Sequence, residues 1–183
     1  VRCFADYEYS VGMLEPSYSL YEVLASIQGA KLIRIPFQSD NFDLPLESIH
    51  NCGANIFFIA SPHAPSGRSY NLETLGNLIK GYKGMVVIDE AYVDFSQKNA
   101  IPLLQSHKNL IITRTLSKSY SLAGLRVGFA LAHPKTIEVL DQAREVYNLD
   151  RLAQVGAVCA LEDQKYFQDT TAKIIRIRND LAQ

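Results

Sequence analysis

The strongest constraint on this chain's fold is a rhythm of short, nearly continuous apolar runs separated by stretches of helical periodicity. ANIFFIA (54–60) and GMVVIDE (84–90) are the clearest runs. A strand with one wet face alternates apolar and polar residues. A strand that is apolar throughout needs cover on both faces, the usual condition of a parallel sheet. Further strand candidates are GML near residue 12, AKLIRIPF (30–37), NLIITRT (109–115) and RVGFALA (126–132). Between them the spacing predicts helices over 18–28, 71–81, 134–148, 151–162 and 163–181. The first of these carries Leu20, Val23, Leu24 and Ile27 on one stripe. Asn71 and Pro134 suit helix starts. Strand–helix alternation therefore predicts an α/β fold: a mostly parallel sheet with helices on both faces and right-handed crossovers. No internal repeat, low-complexity tract or linker interrupts the pattern.

The bulk numbers narrow the function classes. The 183 residues suffice for one domain with a substantial core. With 18 Lys+Arg against 19 Asp+Glu, the net charge of −1 gives no general attraction to nucleic acid or to an anionic membrane. The apolar runs are far too short to span a bilayer, and the opening residues carry no signal-peptide pattern. Cys3, Cys52 and Cys159 are odd in number and far apart, which reads as reduced thiols in a cytoplasmic protein rather than a disulfide framework or zinc site. The chain opens at Val1 without a methionine and closes on a charged helical pattern. It reads as a piece of a longer protein.

In sheets of this kind, chemistry gathers beyond the carboxyl ends of the strands. SPHAPSG (61–67), DEAYVDF (89–95) and TRTLSK (113–118) fall there. Asp89 ends an apolar strand, where a carboxylate is costly unless paired; alone it could as well cap a helix. Tyr92 could be an ordinary core aromatic. Lys118 stands near an apolar strand, a setting that lowers a lysine pKa and favours Schiff-base chemistry, although most lysines are simply solvated. Thr115, Ser117 and Arg126 offer hydroxyls and a planar fork suited to a phosphate dianion, or else turn chemistry and a surface arginine. Each signal alone is weak. Together they describe a holder for pyridoxal 5′-phosphate: a carboxylate for the pyridinium nitrogen, a lysine for the covalent link, and an arginine with hydroxyls for the phosphate. No glycine-rich nucleotide fingerprint follows any strand candidate, so a nucleotide-binding domain finds no support.

The whole chain resembles the fold-type I pyridoxal-phosphate-dependent aminotransferases. Within these it looks most like the histidinol-phosphate aminotransferase group. The resemblance rests on EPSYSLYEVLASIQGAKLIRIPF (15–37), SPHAPSG (61–67), VVIDEAYVDF (86–95) and RTLSKSYSLAGLRVGFALA (114–132). It implies that Asp89 binds the pyridine nitrogen, Tyr92 donates to the cofactor's phenolic oxygen, and Lys118 forms the Schiff base and then shuttles the proton. It also implies that Thr115, Ser117 and Arg126 hold the phosphate, and that Tyr18 stacks on the ring. Where many relatives have an asparagine before the proline of this loop, the chain has Ala64. That leaves Tyr92 as the main donor to the phenolic oxygen, while His63, as a loop histidine, reads as solvated rather than functional.

The resemblance further implies that residues 1–160 are part of a cofactor-binding large domain and 161–183 a helix leading towards a carboxy-terminal small domain. A phosphate-binding loop would precede the first residue. The expected reaction moves an amino group between histidinol phosphate and 2-oxoglutarate, giving imidazole-acetol phosphate and glutamate. Its partners would be a small-molecule amino donor and oxo-acid acceptor, and the full-length protein would be a homodimer. The fragment alone is expected to be inactive or weak. Aromatic aminotransferases and a threonine-phosphate decarboxylase share the same motif residues, so these activities stay open, as does a non-catalytic module on the same scaffold.

Overall fold

The computed structural model describes residues 1–96 and 98–182; the last residue of the expected 161–183 stretch lies outside them. Six strands form one sheet: β1 (Ser10–Glu15), β2 (Lys31–Pro36), β3 (Ile56–Ala60), β4 (Met85–Asp89), β5 (Leu110–Thr115) and β6 (Gly128–Ala132). Their order is β2-β1-β3-β4-β5-β6. The first five pair in parallel and β6 runs antiparallel to β5. The α/β expectation holds, with one antiparallel edge strand.

The continuous apolar runs are covered on both faces. Along β3, Phe57 and Ile59 enter one core with Leu14, Val86, Ile88, Leu110 and Ile112. This core packs against Ile49 of α2 (Leu46–Asn51) and Leu75, Leu78 and Ile79 of α3 (Leu72–Gly81). Ile56 and Phe58 enter the opposite core with Val11, Met13, Val87 and Ile111, against Tyr21 and Ala25 of α1 (Leu20–Ile27). Period-two alternation thus sends successive residues of one strand into two different cores. Every residue of β3 is buried.

Several helices start where the sequence places them. The Asn71 side chain accepts from the Thr74 amide at 2.7 Å, a capping contact at the start of α3. Pro134 begins α4 (Pro134–Gln142). That helix ends six residues before the expected 148, and Val146 and Tyr147 beyond it are exposed. α5 (Arg151–Glu162) and α6 (Gln164–Leu181) follow. The short helix α2 was not expected, because six residues are too few to show a helical period.

In α1, the expected stripe does not face the core. Leu20, Val23 and Ile27 are exposed, and Tyr21 and Ala25 are buried instead. Among the described residues, no helix is long and apolar enough to cross a membrane.

The chain moves from β1 outward to β2 and then returns to the other side of β1 to lay down β3. This reversal is a topological switch point, where open α/β sheets form their binding crevice. The turn after β1 and the loop after β3 meet there.

Candidate active site

The Asp89 carboxylate, at the end of β4, is half-buried and held from two directions. Its Oδ1 accepts the Ala91 amide at 3.0 Å, and its Oδ2 accepts the Tyr21 hydroxyl at 2.7 Å. Neither partner is charged, so the negative charge is oriented without being neutralised. Burial and the Asp89 charge push the Tyr21 phenol far above its ordinary value. It is therefore a permanent hydrogen-bond donor. Tyr21 also stacks on Phe58, with ring centroids 4.8 Å apart, and meets the edge of Tyr18 at 5.7 Å. Tyr18 itself is about half exposed, leaving much of its ring free to contact another group.

Glu90, the next residue, is buried and takes the opposite solution. Its Oε2 accepts from Arg114 Nε at 2.8 Å and Nη2 at 2.7 Å, and its Oε1 accepts the Ala100 amide. A buried charge is tolerated when it is paired and hydrogen-bonded. Two adjacent carboxylates thus differ: Glu90 is neutralised by an arginine, and Asp89 is not.

The loop after β5 brings up the lysine. Lys118 Nζ lies over the Tyr92 ring, 5.1 Å from its centroid, within cation–π range. Among the described residues its ammonium takes part in no ion pair. Ser119, the following residue, donates to Asp94, which ties the lysine loop to the segment carrying Tyr92.

Thr115 and Ser117 form a local pair. Thr115 Oγ1 donates to Ser117 Oγ at 2.8 Å and accepts the Ser117 amide at 3.1 Å. Val127 joins them, its carbonyl taking the Leu116 amide at 3.1 Å. Gly128 faces Thr115 across the β5–β6 ladder. A β-carbon there would stand 2.8 Å from the Arg114 carbonyl oxygen, so only glycine allows this close approach. Arg126 adopts a left-handed backbone, φ 56°, which costs a non-glycine residue about 1 kcal/mol. Its guanidinium donates to the Ala123 carbonyl at 2.9 Å rather than to Thr115 or Ser117. The hydroxyl pair and the arginine are neighbours through the backbone, with no hydrogen bond between them among the described residues.

His63 corrects the sequence reading. It is 1% exposed, not solvated. Its Nδ1 and Nε2 lie 2.8 Å from Ser66 Oγ and 2.9 Å from the Pro16 carbonyl, and Phe37 and Phe42 pack on the ring. A loop histidine is buried here because the switch point folds the Pro16 turn against it. His63 therefore fixes the turn bearing Tyr18 to the loop bearing Ala64. An open cleft of about 860 Å³ runs past His63, Ala64 and Tyr92 to Ile174 and Arg178 of α6.

The structure thus joins Asp89 to Tyr18 through Tyr21, stacks Lys118 on Tyr92, and pairs Thr115 with Ser117. Sequence reasoning missed Tyr21 altogether, because it lies off the stripe of Leu20, Val23, Leu24 and Ile27.

A histidinol-phosphate aminotransferase of Synechocystis sp. is 47% identical over 184 residues, covering 100% of this chain and 52% of that protein. One from Geotalea uraniireducens (strain Rf4) is 43% identical, covering 98% of this chain and 51% of that protein. The chain spans about half the length of the curated relatives it matches. The crystal structure of histidinol-phosphate aminotransferase from Sinorhizobium meliloti, in complex with pyridoxal-5′-phosphate, superposes with a TM-score of 0.91 at 28% identity. It covers 99% of this chain, which matches 51% of it. The match to aminotransferase class I and II runs over residues 1–183, and the chain belongs to that family.

Proposed function

We propose that this chain is the cofactor-holding part of a pyridoxal-phosphate-dependent histidinol-phosphate aminotransferase. The observation that carries the reading is the pairing of an oriented, un-neutralised carboxylate at Asp89 with an ion-pair-free lysine stacked on Tyr92. Glu90, the adjacent acid, is by contrast neutralised by Arg114. The donor set fits pyridoxal phosphate: Asp89 for the ring nitrogen, Lys118 for the covalent anchor, and Thr115, Ser117 and Arg126 for the phosphate. Tyr92 would donate to the phenolic oxygen, a role that Ala64 cannot take. Tyr18 would cover the ring.

When bound, the cofactor supplies an electron sink conjugated to the substrate's amine. The protein's part is to hold and to move protons. Asp89, fixed by Tyr21 and the Ala91 amide, keeps negative charge beside the ring nitrogen. Lys118 would take the proton from the amino donor's α-carbon in one half-reaction and deliver one to the acceptor's α-carbon in the other. Histidinol phosphate and 2-oxoglutarate are the proposed substrates, supported by the relatives at 47% and 43% identity. Residues 1–160 then belong to the large domain, and α6 leads out of it. A homodimeric, cytoplasmic full-length protein completes the reading; the odd, widely spaced cysteines Cys3, Cys52 and Cys159 support the cytoplasmic part.

Borohydride trapping tests the cofactor assignment. The chain is incubated with pyridoxal phosphate, reduced, digested and mapped by mass spectrometry, with Lys118→Ala as control. One stoichiometric adduct at Lys118, lost in the variant, is expected. Adducts scattered over surface lysines on the full-length protein would overturn it. Half-reactions of the full-length protein with histidinol phosphate, aromatic amino acids and threonine phosphate then separate the activities that share these residues.

A further inference from the structure

We infer that Tyr21 is a positioning residue for the cofactor's ring nitrogen, acting through Asp89. The inference rests on the cofactor reading above. Tyr21 is 3% exposed, and its hydroxyl donates to Asp89 Oδ2 at 2.7 Å across 68 residues of sequence. The contact joins the first turn of α1 to the end of β4. The Tyr21 ring is clamped between Phe58, stacked at 4.8 Å, and the edge of Tyr18 at 5.7 Å. The phenol therefore has little freedom to turn away.

The arrangement has chemical consequences. The Ala91 amide engages Oδ1 and Tyr21 engages Oδ2, so the carboxylate is pinned about both oxygens. A carboxylate has about four acceptor positions, and two remain for another donor. The Tyr21 hydroxyl fixes where those two point. It also withdraws part of the negative charge, which tunes how strongly Asp89 attracts a proton on the ring nitrogen. Hydrogen bonds to a charged acceptor are among the stronger ones, and they depend on geometry. The same tyrosine touches Tyr18, so the residue placed over the ring and the residue placed at its nitrogen share one support.

The test compares two probes on the full-length protein stripped of cofactor. One is pyridoxal phosphate. The other is its 1-deaza analogue, in which a C–H replaces the ring nitrogen. Tyr21→Phe keeps the stack on Phe58 and removes only the hydroxyl. It is expected to weaken pyridoxal phosphate binding about tenfold and to leave the analogue within about twofold. In an Asp89→Ala background, Tyr21→Phe should have no further effect on either probe.

A merely structural tyrosine predicts the opposite: equal weakening of both probes, or of neither, and either result overturns the inference. NMR of the wild-type Tyr21 hydroxyl proton gives the same comparison without substitution. That resonance should move on adding pyridoxal phosphate and stay with the analogue; equal movement with both overturns the role of Tyr21. Wild-type protein that binds neither probe overturns the cofactor reading, and the inference with it. Wild-type binding without probe selectivity in Tyr21→Phe overturns only the role of Tyr21.

Discussion

Two neighbouring acids, Asp89 and Glu90, divide the work at the end of β4. Glu90 is buried against Arg114 and the Ala100 amide. Glu90→Ala should destabilise the fold by about 2–3 kcal/mol, less than for a fully buried pair because Arg114 reaches water in part; the urea unfolding midpoint reads this. His63 makes a pH prediction. Burial holds its pKa below the ordinary 6.5, so the unfolded chain binds the proton more readily. Stability from the neutral imidazole is complete above about pH 6.5 and is lost as pH falls below it. Chemical denaturation between pH 7.5 and 5 should show that decline, and it should be shallower in His63→Asn. An equal slope in the variant would mean that other groups set the acid response.

Among the strands, close approach matters as much as apolar cover. Gly12 sits in the middle of β1, and a β-carbon there would overlap the Phe57 ring on the neighbouring strand. Phe57 is fully buried and cannot swing away. Gly12→Ala should therefore cost about 1–3 kcal/mol through overpacking, read as a lower melting temperature in thermal unfolding followed by circular dichroism. At the other edge, the β5–β6 pair is joined by a loop rather than by a crossover helix, and that loop carries Lys118. The antiparallel return is what places Gly128 against Thr115, bringing the Arg126 segment back beside the hydroxyl pair.

The molecule as a whole leaves much apolar surface open. Leu152, Val155, Val158 and Leu161 are exposed down the outer side of α5, opposite the buried Ala153 and Ala157. Val146 and Tyr147 precede them, and Leu181 ends α6, all largely exposed. Exposed apolar patches of this kind favour association. Sedimentation velocity of the isolated chain should show concentration-dependent self-association or low stability. A monodisperse monomer with a high melting temperature would contradict this.

Much of the architecture was settled by local pattern. Uninterrupted apolar runs at 54–60 and 84–90 demanded cover on both faces, because a strand cannot hide both of its sides alone. The local spacings Asp89-x-x-Tyr92 and Ser117-Lys118 also survive folding, because each lies within one strand end and its loop. The tertiary structure decided the rest. Period in a helix says that one side needs burial, yet α1 buried Tyr21 and Ala25 in place of its aliphatic stripe, since Phe58 and Asp89 were what that side met. His63 became buried only because the switch point folds the Pro16 turn onto it. The Tyr21–Asp89 bond spans 68 residues. Hydrophobic pattern records which residues must leave water. Which groups they then meet depends on how the crossovers stack one element on another.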